Sequence, residues 1–110
     1  MPNLKIHVEE ATLAPCRDGL VAALPALRDL LCQRLGVAPS ACQLAVLPVL
    51  GLPDQPPVNV ELSILPGVER TRDRLVALAE AIRSDLEPLT RSRVAVRISQ
   101  LDAATYVALK

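Results

Sequence analysis

Hydrophobic and polar residues alternate in three separate stretches of this chain, a pattern typical of β-strands that bury one face. The stretches run from Leu4 to Val8, from Val58 to Ile64 and from Val94 to Ile98. A fourth stretch, Cys42 to Leu47, is more uniformly apolar and also has the length of a strand. The pattern therefore predicts four β-strands.

Two stretches between these strands carry apolar residues at helical spacing. From roughly Arg17 to Leu35, leucines recur every three or four positions, and Gly36 supplies a C-terminal stop. Pro25 interrupts this helix, so we expect a kink or a fresh first turn there. We expect the second helix to begin after an N-cap at Thr71 and to end before Pro88. The residues expected to face the core are Leu20, Leu24, Leu27, Leu31, Leu75, Leu78, Ile82 and Leu86.

The order strand, helix, strand occurs twice, and a proline-rich loop over residues 48–57 separates the two copies. Two such βαβ units give a four-stranded mixed sheet with both helices on one face. A chain of 110 residues, 51% of them hydrophobic, has room for one core. We therefore predict an α/β (α+β) fold in a single domain, 1–110, with repeated halves 1–52 and 53–110.

The sheet face that the helices leave uncovered, here called the open face, is polar and charged. Its expected members are Lys5, His7, Glu9, Glu61, Ser63, Arg97 and Ser99. This mixture is unsuited to a core, so the open face should meet bulk solvent or line the centre of a ring of identical subunits. The tail beyond Leu101 would then be free to pair with a strand edge of a neighbour.

Composition excludes several classes of partner. Twelve basic residues balance twelve acidic ones, and aromatic residues make up 1% of the chain. The chain therefore has no net positive charge to attract nucleic-acid phosphates, and almost no aromatic rings on which bases could stack. No apolar run approaches the roughly 20 residues needed to cross a bilayer, and the first residues lack the basic then apolar order of a signal peptide. We expect a cytoplasmic protein that binds neither nucleic acid nor membrane.

The cysteines do not form a recognisable metal or disulfide motif. Cys16, Cys32 and Cys42 are odd in number and lack Cys-x-x-Cys spacing, and His7 is the only histidine. We therefore expect no metal site and no disulfide framework. Structural roles are expected for all three cysteines, with a reactive thiol as the open alternative.

Pro2 stands directly behind Met1 and directly before the first strand. Removal of Met1 would turn the Pro2 nitrogen into a secondary amine. An α-amino group has a pKa of about 7.7 to 8.0, and burial lowers this pKa because the charged form loses its water. Such an amine is suited to act as a general base. If Met1 is retained, the nitrogen is an amide and has no basicity.

Four features together give the chain its resemblance to a known family. They are Met1-Pro2 before a strand, the tandem βαβ repeat, the turn Ile64-Leu65-Pro66-Gly67, and the last strand Arg93-Val94-Ala95-Val96-Arg97-Ile98. The chain thereby resembles the tautomerase superfamily, which includes carboxymethyl-hydroxymuconate isomerases and macrophage migration inhibitory factor. The resemblance implies a homotrimer that moves a proton in an oxo-acid or enol substrate and uses no cofactor.

The resemblance also implies roles for particular residues. Pro2 matches the catalytic base, Leu65 and Pro66 form the turn beside the substrate, and Arg97 lies on the strand that supplies polar substrate contacts. Arg70, just past the turn, is suited to bind a substrate carboxylate because guanidinium recognises carboxylates in a bidentate way.

Two positions depart from the family pattern. Ala95 stands where relatives often carry Tyr or Arg, and Val37 stands where factor-like members carry Lys, so the usual electrophile is missing. Two functions therefore remain open. One is a small tautomerase or isomerase that uses Pro2 as its base, and the other is a noncatalytic oligomeric or ferredoxin-like module that binds a small molecule.

Overall fold

A computed structural model describes all 110 residues. The regular elements are β1 (Asn3–Glu9), α1 (Glu10–Leu35), a short 3-10 turn (Pro39–Ala41), β2 (Gln43–Val49), β3 (Val58–Ile64), α2 (Arg72–Thr90) and β4 (Val94–Gln100). The four strands form one sheet in the order β2-β1-β3-β4. Each half contributes a parallel pair, and the central strands β1 and β3 are antiparallel. The expected mixed sheet of two βαβ units is confirmed.

The core lies between the two helices and one face of the sheet. Leu4, Ile6 and Val8 of β1 are fully buried there, together with the alternate residues of β3. Of the eight predicted helix residues, six are buried, while Leu24 and Leu75 are half-buried and pack against the same cluster. Aliphatic side chains therefore supply the whole core. Neither helix is apolar over enough of its length to cross a membrane.

The predicted start of α1 is wrong, because the helix begins at Glu10, directly after β1. Leu13, in the added turns, is buried with the rest of the stripe. The helix also continues through Pro15 and Pro25, so the expected fresh first turn at Pro25 does not occur. Both prolines are exposed. The carbonyl groups that they leave without an amide donor therefore lie near solvent, where water satisfies them.

The predicted N-cap of α2 is confirmed, and its predicted end is wrong. The Thr71 hydroxyl accepts a hydrogen bond from the backbone N–H of Arg74 at 3.4 Å. The helix continues past Pro88 to Thr90. Pro88 leaves the carbonyl of Ser84, an exposed residue, without a helical donor, and the buried Thr90 hydroxyl adds a hydrogen bond in the last turn by donating to the Leu86 carbonyl at 2.9 Å.

β2 is longer than predicted, since it runs to Val49 and includes Pro48. Pro48 lies in register with Val8 of β1. β2 is an edge strand, so a proline whose nitrogen points away from β1 loses no hydrogen bond of the sheet. The proline-rich loop therefore begins at Leu50.

Candidate functional site

Three segments of the chain meet at the end of the sheet where β1 begins. α1 starts at the opposite end of β1 and runs back along the sheet, so its last residues return to this end. β3 is antiparallel to β1, with Asn3 in register with Ser63, so β3 finishes at the same end of the sheet. The turn that follows β3 therefore lies beside the amino terminus and the end of α1.

These segments enclose a cleft of about 420 Å³, here called the amino-terminal cleft. Its walls are Met1, Arg34, Leu35 and the turn 65–70. Pro2 itself is buried next to Met1, and its carbonyl accepts a hydrogen bond from the Gln43 N–H at 2.9 Å. The Pro2 nitrogen, which is bonded to Met1, is thus held beside the cleft by β2.

The structure brings most of the predicted site residues together. Leu65, Pro66 and Arg70 line the amino-terminal cleft, and Pro2 adjoins it through Met1. Arg97 does not line this cleft. It lies on the open face of β4, exposed and in register with Glu61 of β3. Within one chain, therefore, Arg97 is separate from the other predicted residues.

Arg70 connects the turn to the end of α1. Its Nη1 donates to the Leu65 carbonyl at 2.6 Å and its Nη2 donates to the Leu35 carbonyl at 3.3 Å. Leu35 is the last residue of α1, where carbonyl groups lack helical partners and a positive charge is favourable. The Arg70 backbone is also fixed, because its N–H donates to the Gly67 carbonyl at 3.0 Å. This half-buried arginine holds one wall of the cleft in place.

The sequence reasoning missed Arg34 and Leu35, which the fold adds to the cleft. Arg34 is exposed in the last turn of α1 and also lines a second cleft of about 340 Å³ between the helices. Arg34 and Arg70 therefore separate two adjoining clefts. The signal was present in the sequence, because Gly36 predicts that α1 ends here and the βαβ order returns this end to the start of β1.

The open face carries polar atoms that have no partner within the chain. His7 Nδ1 lies 4.0 Å from Glu61 Oε1, beyond hydrogen-bonding distance. The enclosed atoms without a hydrogen bond are His7 Nδ1, Glu9 Oε1 and Asn59 Oδ1. Buried polar atoms are almost always paired in folded proteins. The open face thus differs from an ordinary solvated surface.

The two positions that depart from the family pattern supply no ionisable group to the cleft. Ala95 is half-buried on β4, in register with Asn59. Val37 follows the end of α1, and its N–H donates to the Cys32 carbonyl at 3.2 Å. The cations at the cleft are therefore the arginines and the amino terminus.

Comparison with known proteins gives a result at the level of the fold. No family model and no curated protein matches the sequence. A solved structure from the cis-3-chloroacrylic acid dehalogenase (cis-CaaD) family is similar over 96% of this chain and 79% of its own, with a TM-score of 0.71 and 18% identity. A fused 4-OT, described as an asymmetric trimer, matches over 96% of this chain and 91% of its own, with a TM-score of 0.73 and 12% identity.

A macrophage migration inhibitory factor-like protein from Entamoeba histolytica is also similar. It matches over 97% of this chain and 94% of its own, with a TM-score of 0.64 and 11% identity. These structures cover nearly the whole chain, and all three are tautomerase-superfamily proteins. The chain therefore has the βαβ fold of the tautomerase superfamily, as its motifs predict.

Proposed function

We propose that this protein is a small cytoplasmic tautomerase or isomerase that acts on an oxo-acid or enol substrate without a cofactor. Pro2, after removal of Met1, is its general base. The observation that supports this proposal is that Met1, which is bonded to the Pro2 nitrogen, lines the same cleft as Arg34 and Arg70.

The proposed reaction uses the chemistry of a neutral secondary amine. Pro2 takes a proton from the carbon next to a carbonyl group, and the electron pair of that C–H bond moves to form an enolate. The protonated amine then returns the proton to oxygen or to another carbon. Guanidinium groups beside the cleft would stabilise the developing negative charge. Because no electrons are lost from the substrate, no redox partner is needed.

Arg70 and Arg34 have different parts in this proposal. A guanidinium group has five N–H donors, and Arg70 uses two of them on backbone carbonyls. Arg70 therefore both fixes the wall of the cleft and retains donors for a substrate carboxylate. Arg34 has no side-chain hydrogen bond within the chain and is exposed at the same cleft, so its whole guanidinium is available. Leu65 and Pro66 supply the apolar side of the substrate site.

The proposed active form is a homotrimer assembled on the open face. The exposed charged side chains of the open face, Lys5, Glu61 and Arg97, would pair across the subunit boundaries. The edge strands β2 and β4 and the tail beyond Leu101 offer further contacts. The fused 4-OT with the same fold is described as a trimer. In such an assembly Arg97 would serve a neighbouring subunit, which accounts for its distance from its own cleft.

A second function, noncatalytic binding of a small molecule by an oligomer, is favoured by a different observation. Ala95 and Val37 leave the cleft without the usual electrophile, and two donors of Arg70 are already engaged. With Met1 retained, the cleft would bind an anion and perform no proton transfer.

The first test is whether Pro2 has a free amine and needs it. Intact mass of the purified protein reports whether Met1 is removed. Enolisation of phenylpyruvate should then be abolished in the form that retains Met1, because the Pro2 nitrogen is an amide there. It should fall by about 100-fold or more in Pro2→Ala, within the range for removal of a general base. Pro53→Ala, in an exposed loop, is the matched control and should leave the rate unchanged.

Equal rates for the mature form and the form that retains Met1, over a panel of oxo acids, would contradict the role of Pro2. Binding of those acids with no turnover by the mature protein would support the noncatalytic function instead.

A further inference from the structure

Two of the three thiols lie next to each other. Cys32 belongs to the last turns of α1, and Cys42 immediately precedes β2. Their sulfur atoms are 3.8 Å apart, within the range of a weak S–H···S hydrogen bond, and both residues are half-buried. Cys16 is not part of this pair, since its thiol donates to the Thr12 carbonyl within α1 at 3.2 Å. The pair is therefore a feature of the fold that the sequence spacing did not indicate.

We propose that Cys32 and Cys42 form a reversible intramolecular disulfide when a hydroperoxide oxidises them. This modification is separate from the proposed function and does not depend on it. The side chains must rotate to bring the sulfur atoms from 3.8 Å to the bond length of about 2.0 Å.

The oxidation balances in two steps. In the first, one thiolate sulfur attacks a peroxide oxygen, the O–O bond breaks, and the leaving oxygen takes a proton to become alcohol or water. In the second, the other sulfur attacks the resulting sulfenic acid, the S–S bond forms, and a water molecule leaves. The two thiols together lose two electrons and two protons, and the peroxide gains them. A small thiol reverses the reaction by exchange.

The surroundings of Cys42 disfavour it as the thiol that attacks the peroxide first. Burial raises the pKa of the Cys42 thiol, and its hydrogen bond with Cys32 raises it further. Arg28 and the amino terminus act in the opposite direction but do not outweigh these effects. Because the thiolate is the nucleophile, the sulfenic acid should form on Cys32, and Cys42 then attacks it at close range.

The bridge would tie together two supports of the amino-terminal cleft. The chain between the cysteines contains Arg34 and Leu35, which line the cleft. Gln43, the next residue after Cys42, donates to the Pro2 carbonyl. A bond from Cys32 to Cys42 would therefore fix the end of α1 against the start of β2, and local opening at Gln43 should become rarer.

The test uses the full chain, treated with hydrogen peroxide and then with dithiothreitol. The wild type and the matched control Cys16→Ser should each lose two hydrogen atoms in intact mass, lose two titratable thiols, and regain both on reduction. Peptide mapping should place the bond between Cys32 and Cys42. Cys32→Ser and Cys42→Ser should show no such loss and should gain oxygen at the remaining thiol.

Two further readouts distinguish the bridge from simple oxidation. Closing a loop of this length should raise the melting temperature of the oxidised wild type by about 5 to 10 °C. Hydrogen exchange at the Gln43 amide should slow by about tenfold, and neither change should occur in the serine variants at positions 32 and 42. Any of three results would overturn the proposal. They are a disulfide that involves Cys16, a disulfide between chains, and sulfenic or sulfinic acids with no bridge.

Discussion

The two faces of the sheet are built from the same strands and have opposite properties. On β1, Leu4, Ile6 and Val8 are fully buried beneath the helices. The residues between them belong to the open face, where Lys5 is exposed and His7 is half-buried without a hydrogen bond at Nδ1. Adjacent residues of the same strand therefore lie in different environments. One side chain is in the apolar core, and the next is on a face that contains enclosed polar atoms without hydrogen bonds.

This difference teaches that the two faces have different tasks. The covered face obtains all of its contacts from α1 and α2 of the same chain, so it accounts for the fold of one subunit. On the open face the side chains of Lys5, Glu61 and Arg97 are exposed, so they are accessible to another chain. We infer that the covered face determines stability and that the open face determines assembly. The amino-terminal cleft lies where β1 begins and β3 ends.

The sharpest test of this comparison uses neighbouring residues of β1. Ile6→Ala should lower the free energy of unfolding by about 2 to 5 kcal/mol, because it removes buried methyl groups and leaves a cavity. Lys5→Ala, the matched control on the open face, should change it by no more than about 1 kcal/mol, because it removes only a cross-strand charge partner of Glu61. Urea unfolding, at a protein concentration where light scattering reports a monomer, measures both. Similar losses for the two variants would show that both faces are equally packed.

A second test addresses assembly on the open face. His7→Glu places a carboxylate beside Glu61, and beside its own copies if subunits meet on this face. Like charges at an interface are costly, so the dissociation constant of the trimer should rise at least about tenfold, or about 1.4 kcal/mol. Light scattering over a dilution series measures this change. Ser84→Glu, on the exposed surface of α2, adds the same charge and should leave assembly intact.

Circular dichroism on both variants checks that they remain folded. A wild type that is monomeric at every concentration would contradict the trimer. Equal dissociation of the two variants would assign the effect to net charge and not to the open face.

The smallest expected effect concerns three charged residues that lie side by side across the open face, Lys5 on β1, Glu61 on β3 and Arg97 on β4, here called the charged row. Glu61 lies in register with Lys5 on one side and Arg97 on the other. Glu61→Gln should cost the monomer about 0.2 to 1 kcal/mol, the usual range for cross-strand charge pairs. This loss should shrink at high salt, because about half of the Glu61 side chain is exposed. Glu80→Gln on α2 is the control, and an equal loss there would remove any special role for the row.

Local patterns predicted most of the secondary structure, and they failed where proline was read in isolation. The alternation in β1, β3 and β4 and the stripes of both helices are confirmed. Pro48 and Pro88 were expected to end regular structure, yet both lie inside elements, and α1 continues through Pro25 without the fresh first turn that was one of two expectations there. Proline costs little at an exposed helix position or on an edge strand. Which positions are exposed or at an edge depends on packing, which no local pattern contains.

For the candidate site, the chain alone supplied the residues that are proposed. Pro2 and Arg70 were proposed from their chemistry and their positions in the chain, and Leu65 and Pro66 from the resemblance to the tautomerase superfamily. Only the tertiary structure decided that Arg34 joins them, that Arg97 does not, and that Cys32 lies beside Cys42. These are contacts between residues distant along the chain. Their proximity follows from the direction of α1 and from the antiparallel pairing of β1 with β3, which the whole core determines together.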